Sequence, residues 1–475
     1  MANRRRRQRG AMLIAFSILL IVVLGFIGLA LEVGPVIGRT PELQTLADNA
    51  ALAAASELVG TPEGLLAAVT KAKSSAADRS AWRRRMEGAV LSDASIRFAS
   101  EPDAPASAWH AAGAVPDPAT ALFVRVDTQA NDPSLGRVAT AFLGAWSPAL
   151  RTLDTGARAV AGRSSLHLTP LAICALSGSA ASPRKNAALL PAVELLEYGF
   201  RRGVAYNLLK LNPHGPAAEH FVLNPLGRPG MLGSSLQVSE SSVLPFVCSG
   251  TVLYPRIGSA SVHVHRPFPA ALWPAFNARF NQHAGSGCHP VTAPPDTNIR
   301  AYPNTAANWW MTNTPDAPSA LSTGNPLLSV ADPESNATPP ALGSYGPLWS
   351  FSKAVRYNSA RPPGGYLPFA TSDWPKLYPA SPAAPAAKSG YPATSPYQTL
   401  GFQTAPTGNT GVAQRRLLHI PLLACPLPAG SDVLAQVRGI GRFFMTAPAS
   451  NGVLSAEFAG LANEGSLMGP AELLQ

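Results

Sequence analysis

Charge is scarce in this chain: Asp, Glu, Lys and Arg together make up only 13% of its 475 residues. With 27 acids in all, no two carboxylates stand out as the acid–base pair that glycoside chemistry needs. There is no G-x-S-x-G elbow for a serine nucleophile either. A stripe of Lys and Arg is also missing. The net charge is +10, but five of those charges lie in the first ten residues, which leaves +5 over the remaining 465. That balance excludes a groove-binding nucleic-acid face. Cysteine is rare, and Cys174, Cys248, Cys288 and Cys425 stand 74, 40 and 137 residues apart, with no CxxC or short zinc spacing. Gly439-Ile-Gly441 lacks the third glycine of a dinucleotide loop and reads better as a strand with a bulge. No repeat of 20–50 residues is visible, which excludes a solenoid. These absences speak against an enzyme, and no cofactor or small-molecule substrate is expected.

What the chain does have begins at its amino terminus. Arg4, Arg5, Arg6, Arg7 and Arg9 precede an uncharged apolar run from Ala11 to Leu31. At about 1.5 Å per residue, 21 helical residues reach roughly 31 Å, the thickness of a bilayer's hydrocarbon core. Backbone amides inside lipid must be satisfied within the segment, so a helix is expected. The arginine flank predicts a cytoplasmic amino terminus and a chain that continues across the membrane. The rival reading is a cleaved secretory signal ending at Gly28-Leu29-Ala30. Signal h-regions are shorter, about 7–15 residues, and both readings place the rest of the chain in the same compartment.

The expected fold class is α+β. A single transmembrane helix and an Ala-rich helix precede a mostly β periplasmic region with a Pro/Ala/Ser-rich irregular lobe. Residues 1–10 form the basic tail, 11–31 the anchor, and 32–90 a hinge and helical segment. Residues 91–290 form a mostly β module, 291–410 the loop-rich lobe, and 411–475 strands that complete the module. The hinge is Glu32–Arg39, interrupted by glycine and proline. Thr40-Pro41-Glu42 then reads as a helix start, with an N-cap, proline at N1 and an acid in the first turn. This helix carries Leu43, Leu46, Ala47, Ala50, Ala51 and Ala54 on one face, suited either to docking a partner helix or to packing within the chain. A second helical region covers 62–88. Strand-like runs include Ala121–Val126, Ala157–Ala161, Leu166–Ala175, Tyr206–Leu211, Phe221–Asn224, Ser261–His265, Arg416–Ala424, Gly441–Thr446 and Leu454–Phe458. A short helix covers Ala270–His283. Pure linkers lack aromatics, yet 291–410 holds seven of ten tyrosines and four of eight tryptophans. Those rings are expected to clamp onto the β module.

Four cysteines in an oxidising compartment suggest two disulfides. Cys248 and Cys288 are the closest pair in sequence and lie in turn-like surroundings, so they are expected to bond. Cys174 and Cys425 end apolar runs and would be the second bridge or two buried thiols. His263-Val-His265 puts two imidazoles on one face of a strand, with His283, Cys288 and His289 within about 25 residues. None of these lies at a recurrent ligand spacing and no acid is near in sequence, so no metal site is expected.

Residues 9–55 resemble the amino-terminal segment of TadG-like Flp pilus-assembly proteins of the tight-adherence system. The resemblance rests on Arg9-Gly10, the apolar helix, Gly28-Leu-Ala-Leu-Glu-Val-Gly34, Arg39, Leu43-Gln44 and Ala47-Asp48-Asn49 with the alanines to Ala55. Later stretches are similar to the same family: Val124–Val160 with Arg158-Ala-Val-Ala161, Phe276–Phe280, Pro294–Asn298, Arg415–Ala424 and Gly439–Phe444. The resemblance implies an inner-membrane, single-pass component of a Flp/Tad pilus machine, with the membrane and other pilus-assembly proteins as partners and a structural role. There are departures from the family pattern. Pro35 and Pro41 break the continuous helix, and Ala15 stands where pilin-like subunits carry glutamate after a Gly10-Ala11 junction. Asp93-Ala-Ser95 lacks the second serine of a von Willebrand A metal site. The alternative is a secreted or membrane-tethered envelope metal-binding protein or hydrolase.

Overall fold

In the computed structural model, the residues described are 5–80, 91–130, 136–140, 143–144, 147–163, 166–184, 191–215, 217–226, 238–252, 261–302, 347–360, 362, 365–378, 391–450 and 452–474. The chain divides into two compact units, one of residues 1–164 with 470–475 and one of 165–469. The module expected over 91–290 is therefore shared between two units, and the 291–410 lobe has no unit of its own.

The first unit begins with one long helix, α1 (Arg5–Ala55), followed by α2 (Pro62–Ser80). The expected hinge at 32–39 is absent, because α1 runs unbroken through Pro35 and Pro41. A proline inside a helix removes an amide donor and crowds the carbonyl four residues back, at a cost of about 3 kcal/mol. Contacts from outside the helix hold this stretch on both sides of Pro41. A Glu32 carboxylate oxygen accepts from the Leu143 amide at 2.8 Å, and the hydroxyls of Thr40 and Thr155 lie 2.9 Å apart. Gln44 Nε2 donates to the Arg158 carbonyl at 3.1 Å. These anchors over-determine the helical path, so local sequence signals lose to tertiary contacts.

The unit's sheet is wholly antiparallel, in the order β1 (Ile96–Ala99), β2 (Phe123–Asp127), β5 (Arg158–Gly162), β16 (Glu472–Leu474). A small hairpin pairs β3 (Arg137–Ala139) with β4 (Thr152–Asp154). The core is built from small residues on the helices and branched or aromatic ones on the strands. Ala47, Ala50, Ala51 and Ala54 of α1 and Ala68, Ala72 and Ala76 of α2 pack with Ile96, Phe98, Val124, Val126 and Ala161. Alanine at these positions lets helix backbones approach closely, at the cost of leaving no room for growth.

In the second unit, five strands close into a ring: β14 (Asp432–Met445), β12 (Ser261–His265), β11 (His220–Leu223), β6 (Leu171–Cys174) and β13 (Leu417–Leu423), which returns to β14. Only β6 and β13 pair in parallel. The ring interior is filled by Ala172, Phe221, Leu223, Val262, Val264, Leu423, Val433, Ala435 and Val437. Strand β14 does two jobs along its fourteen residues. Its first half alternates inward and outward, while from Ile440 both faces are nearly continuously buried. There the same sheet runs on beyond the ring, β14 pairing with β15 (Ser455–Leu461) and β15 with β10 (Ala205–Asn207). The bulge expected near Gly439–Gly441 is present. Leu422 faces Gly439 and Leu423 faces Val437, leaving Arg438 unopposed, and Tyr198 donates its hydroxyl to the Arg438 carbonyl at 2.6 Å.

A smaller sheet orders β7 (Ser182–Arg184), β8 (Glu194–Glu197) and β9 (Phe200–Arg201). Its last turn holds Tyr198 and Gly199 both at positive φ, +48° and +84°, the geometry of a two-residue type I′ hairpin. The helix α3 (Glu240–Ser249) is closed by a Ser239/Ser242 capping box and by Gly250 in the left-handed conformation. Residues Ala270–Phe280 form a 3₁₀-helical stretch. Within 291–410, most of the described aromatics are core, while Tyr357 and Tyr366 are half-buried and lie outside it. Trp349, Trp374 and Tyr378 are fully buried, the two tryptophan rings lie 4.8 Å apart, and Trp349 Nε1 donates to the Tyr378 hydroxyl at 2.9 Å. Residues 303–346 and 379–390 of that region, and Arg83–Arg85, lie outside the described residues.

The alanine interface yields a test. Ala50→Leu should lower the stability of the detergent-solubilised chain by about 1–3 kcal/mol in chemical denaturation, because extra methylenes have nowhere to go. Thr45→Ala, on the exposed side of the same helix, should change it by less than about 0.5 kcal/mol.

Candidate functional site

The first half of α1 is apolar and uncovered: Leu13 is 69% exposed and Leu31 72%. A run of exposed large side chains this long has no counterpart on a water-facing surface. By length and composition, this is a helix able to cross a membrane. Arg5, Arg6, Arg7 and Arg9 fall in its first turns, while Arg4 lies outside the described residues. A Cβ added at Gly25 or Gly34 would meet nothing within 4 Å, so room for another helix exists there.

The second half of the same helix behaves differently. Leu43, Leu46, Ala47, Ala50 and Ala54, considered above as a partner-docking face, are at most 4% exposed and belong to the unit's own core. That face is covered by α2 and the sheet, so a partner helix has no access to it. The sequence could not separate these outcomes, since an Ala-rich stripe suits either neighbour.

The cysteines pair as Cys248–Cys288 and Cys174–Cys425, each with Cα atoms 5.5 Å apart. Cys288 is thus withdrawn from any ligand set with His283 and His289. Among the described residues, one His/Cys/Asp/Glu trio brings its ligand atoms together, Cys174, Glu219 and Cys425. Two of its members are spent in a disulfide. The histidine pair on β12 does gain the acid missing from its sequence neighbourhood. The β12–β14 register sets His265 opposite Asp432, whose Oδ1 lies 3.7 Å from both His263 Nδ1 and His265 Nε2. Cross-strand register, not spacing, supplies that neighbour.

The most constrained polar site was not visible as a motif. Arg416 is fully buried at the start of β13. Its Nη1 donates to the Asn298 and Arg300 carbonyls at 2.8 and 2.7 Å, and its Nε and Nη2 to the Met445 carbonyl at 3.0 and 2.6 Å. The guanidinium carbon lies 4.4 and 4.5 Å from the Phe280 and Phe444 ring centroids. Asp296, also fully buried, accepts from the Arg416 amide at 2.9 Å and from the Tyr397 hydroxyl at 2.8 Å. Burial pushes the Arg416 guanidinium down to about 10, with Asp296 pulling the other way, so it stays charged near neutrality. Four stretches that resembled pilus-assembly proteins, 276–280, 294–298, 415–424 and 439–444, meet here. The only sign in the sequence was their separate resemblance, and nothing in it signalled that they touch.

Two measurements follow from this site. Arg416→Lys removes the planar fork and strands several carbonyls, so unfolding should become easier by on the order of 3 kcal/mol or more in denaturant titration. The second concerns His419, held down to about 4 by burial, then by Arg442. Between pH 6.5 and 4 the unfolded chain binds a proton that the folded chain refuses. Stability from this group is therefore full above about pH 6.5 and lost as pH falls towards 4. His220, also lowered by burial, adds in the same direction. His419→Gln should flatten the decline in denaturation midpoint between pH 7 and 4.5.

Residues 10–57 match the sequence model of a family described as putative Flp pilus-assembly TadE/G-like. No curated protein and no solved structure matches the chain. The matched residues coincide almost wholly with α1, spanning both its exposed apolar half and its packed half. Over its amino-terminal helix, this chain is similar to the TadE/G-like Flp pilus-assembly family.

Proposed function

We propose that this chain is a membrane-anchored, non-enzymatic structural component of a Flp/Tad-type pilus-assembly system. One observation carries the reading: the TadE/G-like match over 10–57 falls on a helix whose first half is exposed and apolar and whose second half is built into a folded unit. That continuity favours a retained anchor over a cleaved leader, with the first unit held close to the bilayer. The five arginines before the apolar run favour a cytoplasmic amino terminus, which puts residues beyond the anchor in the periplasm of an inner-membrane protein. The two disulfides agree with an oxidising compartment. Its partners in this reading are other Flp/Tad components, engaged through surfaces other than the buried alanine face.

The test joins genetics to topology. Deleting the gene should abolish or sharply reduce Flp pili on the cell surface, and the full-length chain should restore them. A periplasm-active reporter, fused after Gln475 through a flexible linker, should be active in the complementing strain. Normal piliation in the deletion strain would defeat the function, and a cytoplasmic reporter signal would defeat the orientation.

A further inference from the structure

The second unit holds a cavity of about 270 Å³ lined by Arg279, Arg415, His167, His419, Thr169 and Gln414 among others. Its unusual member is Arg279, which is 1% exposed. Its Nη2 donates to the Val247 carbonyl at 3.0 Å, but its Nη1 is buried with no hydrogen-bond partner. A guanidinium donor left unmade inside a protein costs about 1–3 kcal/mol, more when charged. That nitrogen is itself closed off, but the guanidinium as a whole lines the cavity and has N–H groups that the chain leaves unbonded.

The charge balance agrees. Arg415 lies next to Arg279 and disfavours its charge further. Its own donors go to the carbonyls of Ser249, Cys248 and Pro294, at 2.6, 2.8 and 3.2 Å. No carboxylate pairs with either arginine within salt-bridge distance among the described residues. Asp296, the acid felt by Arg415, is already engaged by Tyr397 and by the amides of Asn298 and Arg416. The end of α3 supplies carbonyls worth about half a negative charge, against two full positive ones. The rest of the lining mixes hydroxyl, amide and imidazole groups, which hydrogen-bond an anion without competing for it, with Gly250, Ala413, Leu417 and Leu467.

We infer that this cavity binds a small oxyanion, a carboxylate or phosphate group, held by the guanidinium groups of Arg279 and Arg415 that line it. Nothing in the pilus-assembly reading requires this site, and the two stand or fall separately. The cavity has room for a molecule of amino-acid size, and its two arginines present planar donors of the kind that suit carboxylate and phosphate alike.

The experiment is calorimetric titration of the full-length protein in detergent with inorganic phosphate and, separately, with succinate, both against sodium chloride of equal ionic strength. Wild type should give a saturable isotherm with at least one of the two. Binding by phosphate alone points to a tetrahedral ligand, by succinate alone to a carboxylate. Arg279→Lys, which keeps the charge but loses the fork, should weaken binding at least tenfold. Should that variant not fold, Ala413→Phe decides: Ala413 is an exposed residue of the cavity lining, and a phenyl ring there should block entry with the same loss. Flat isotherms for both anions with wild type, or unchanged binding in Ala413→Phe, would overturn the proposal.

Discussion

A guanidinium ion sealed from water has to be given its hydrogen bonds by the chain itself, and the second unit is organised around meeting that demand at Arg416. The donors can be satisfied only if the 298–300 backbone and the end of β14 both arrive at β13. Phe280 and Phe444 must close over the faces of the ion to exclude solvent. Asp296 ties the same loop to Tyr397 and to the backbone of β13, while Asn298 receives the Arg300 and Thr404 amides. A network of this kind is costly when half-made. It therefore penalises alternatives in which any of these segments is displaced, and it gives the irregular, proline-rich stretch one place to settle.

The first unit solves a different problem, a single helix that is uncovered along its first half and packed along its second. Its early turns carry large side chains, which lipid accommodates; its later turns carry alanine, which close protein packing requires. Composition shifts from Leu, Ile and Val to Ala at about the point where exposure ends. The two prolines sit near that change, where side-chain anchors from outside the helix replace what the backbone loses.

Legibility followed the range of the forces involved. Strand β12 reads at its true limits because Ser261–His265 alternates and its alternation is real burial. The Cys248–Cys288 bridge reads from proximity in sequence. The aromatic content of 291–410 betrayed core, since Trp349 and Tyr378 would not survive in a linker. What escaped was non-local. The ring closes through a parallel β6–β13 contact that no periodicity encodes. Proline signals at 35 and 41 were correct locally and overridden by anchors more than a hundred residues away. Strand β16 is three residues long, too short for any pattern. The unmet donor of Arg279 exists only because the fold brings a cavity, a helix end and a second arginine together.

Strand β16 also makes the first unit a discontinuous one, with Glu472 paired to Gly162 across the entire second unit. The sheet edge at β5 therefore stays unpaired during synthesis until about 300 further residues have been made. Loop-closure entropy grows only logarithmically with length, and a folded insert shortens the effective loop further. The order of events is nonetheless fixed: the inner unit can fold while the outer one still presents an open strand edge. A nascent chain tethered to the bilayer by α1 would hold that edge near the membrane throughout this interval, where anything that captures extended backbone could meet it first.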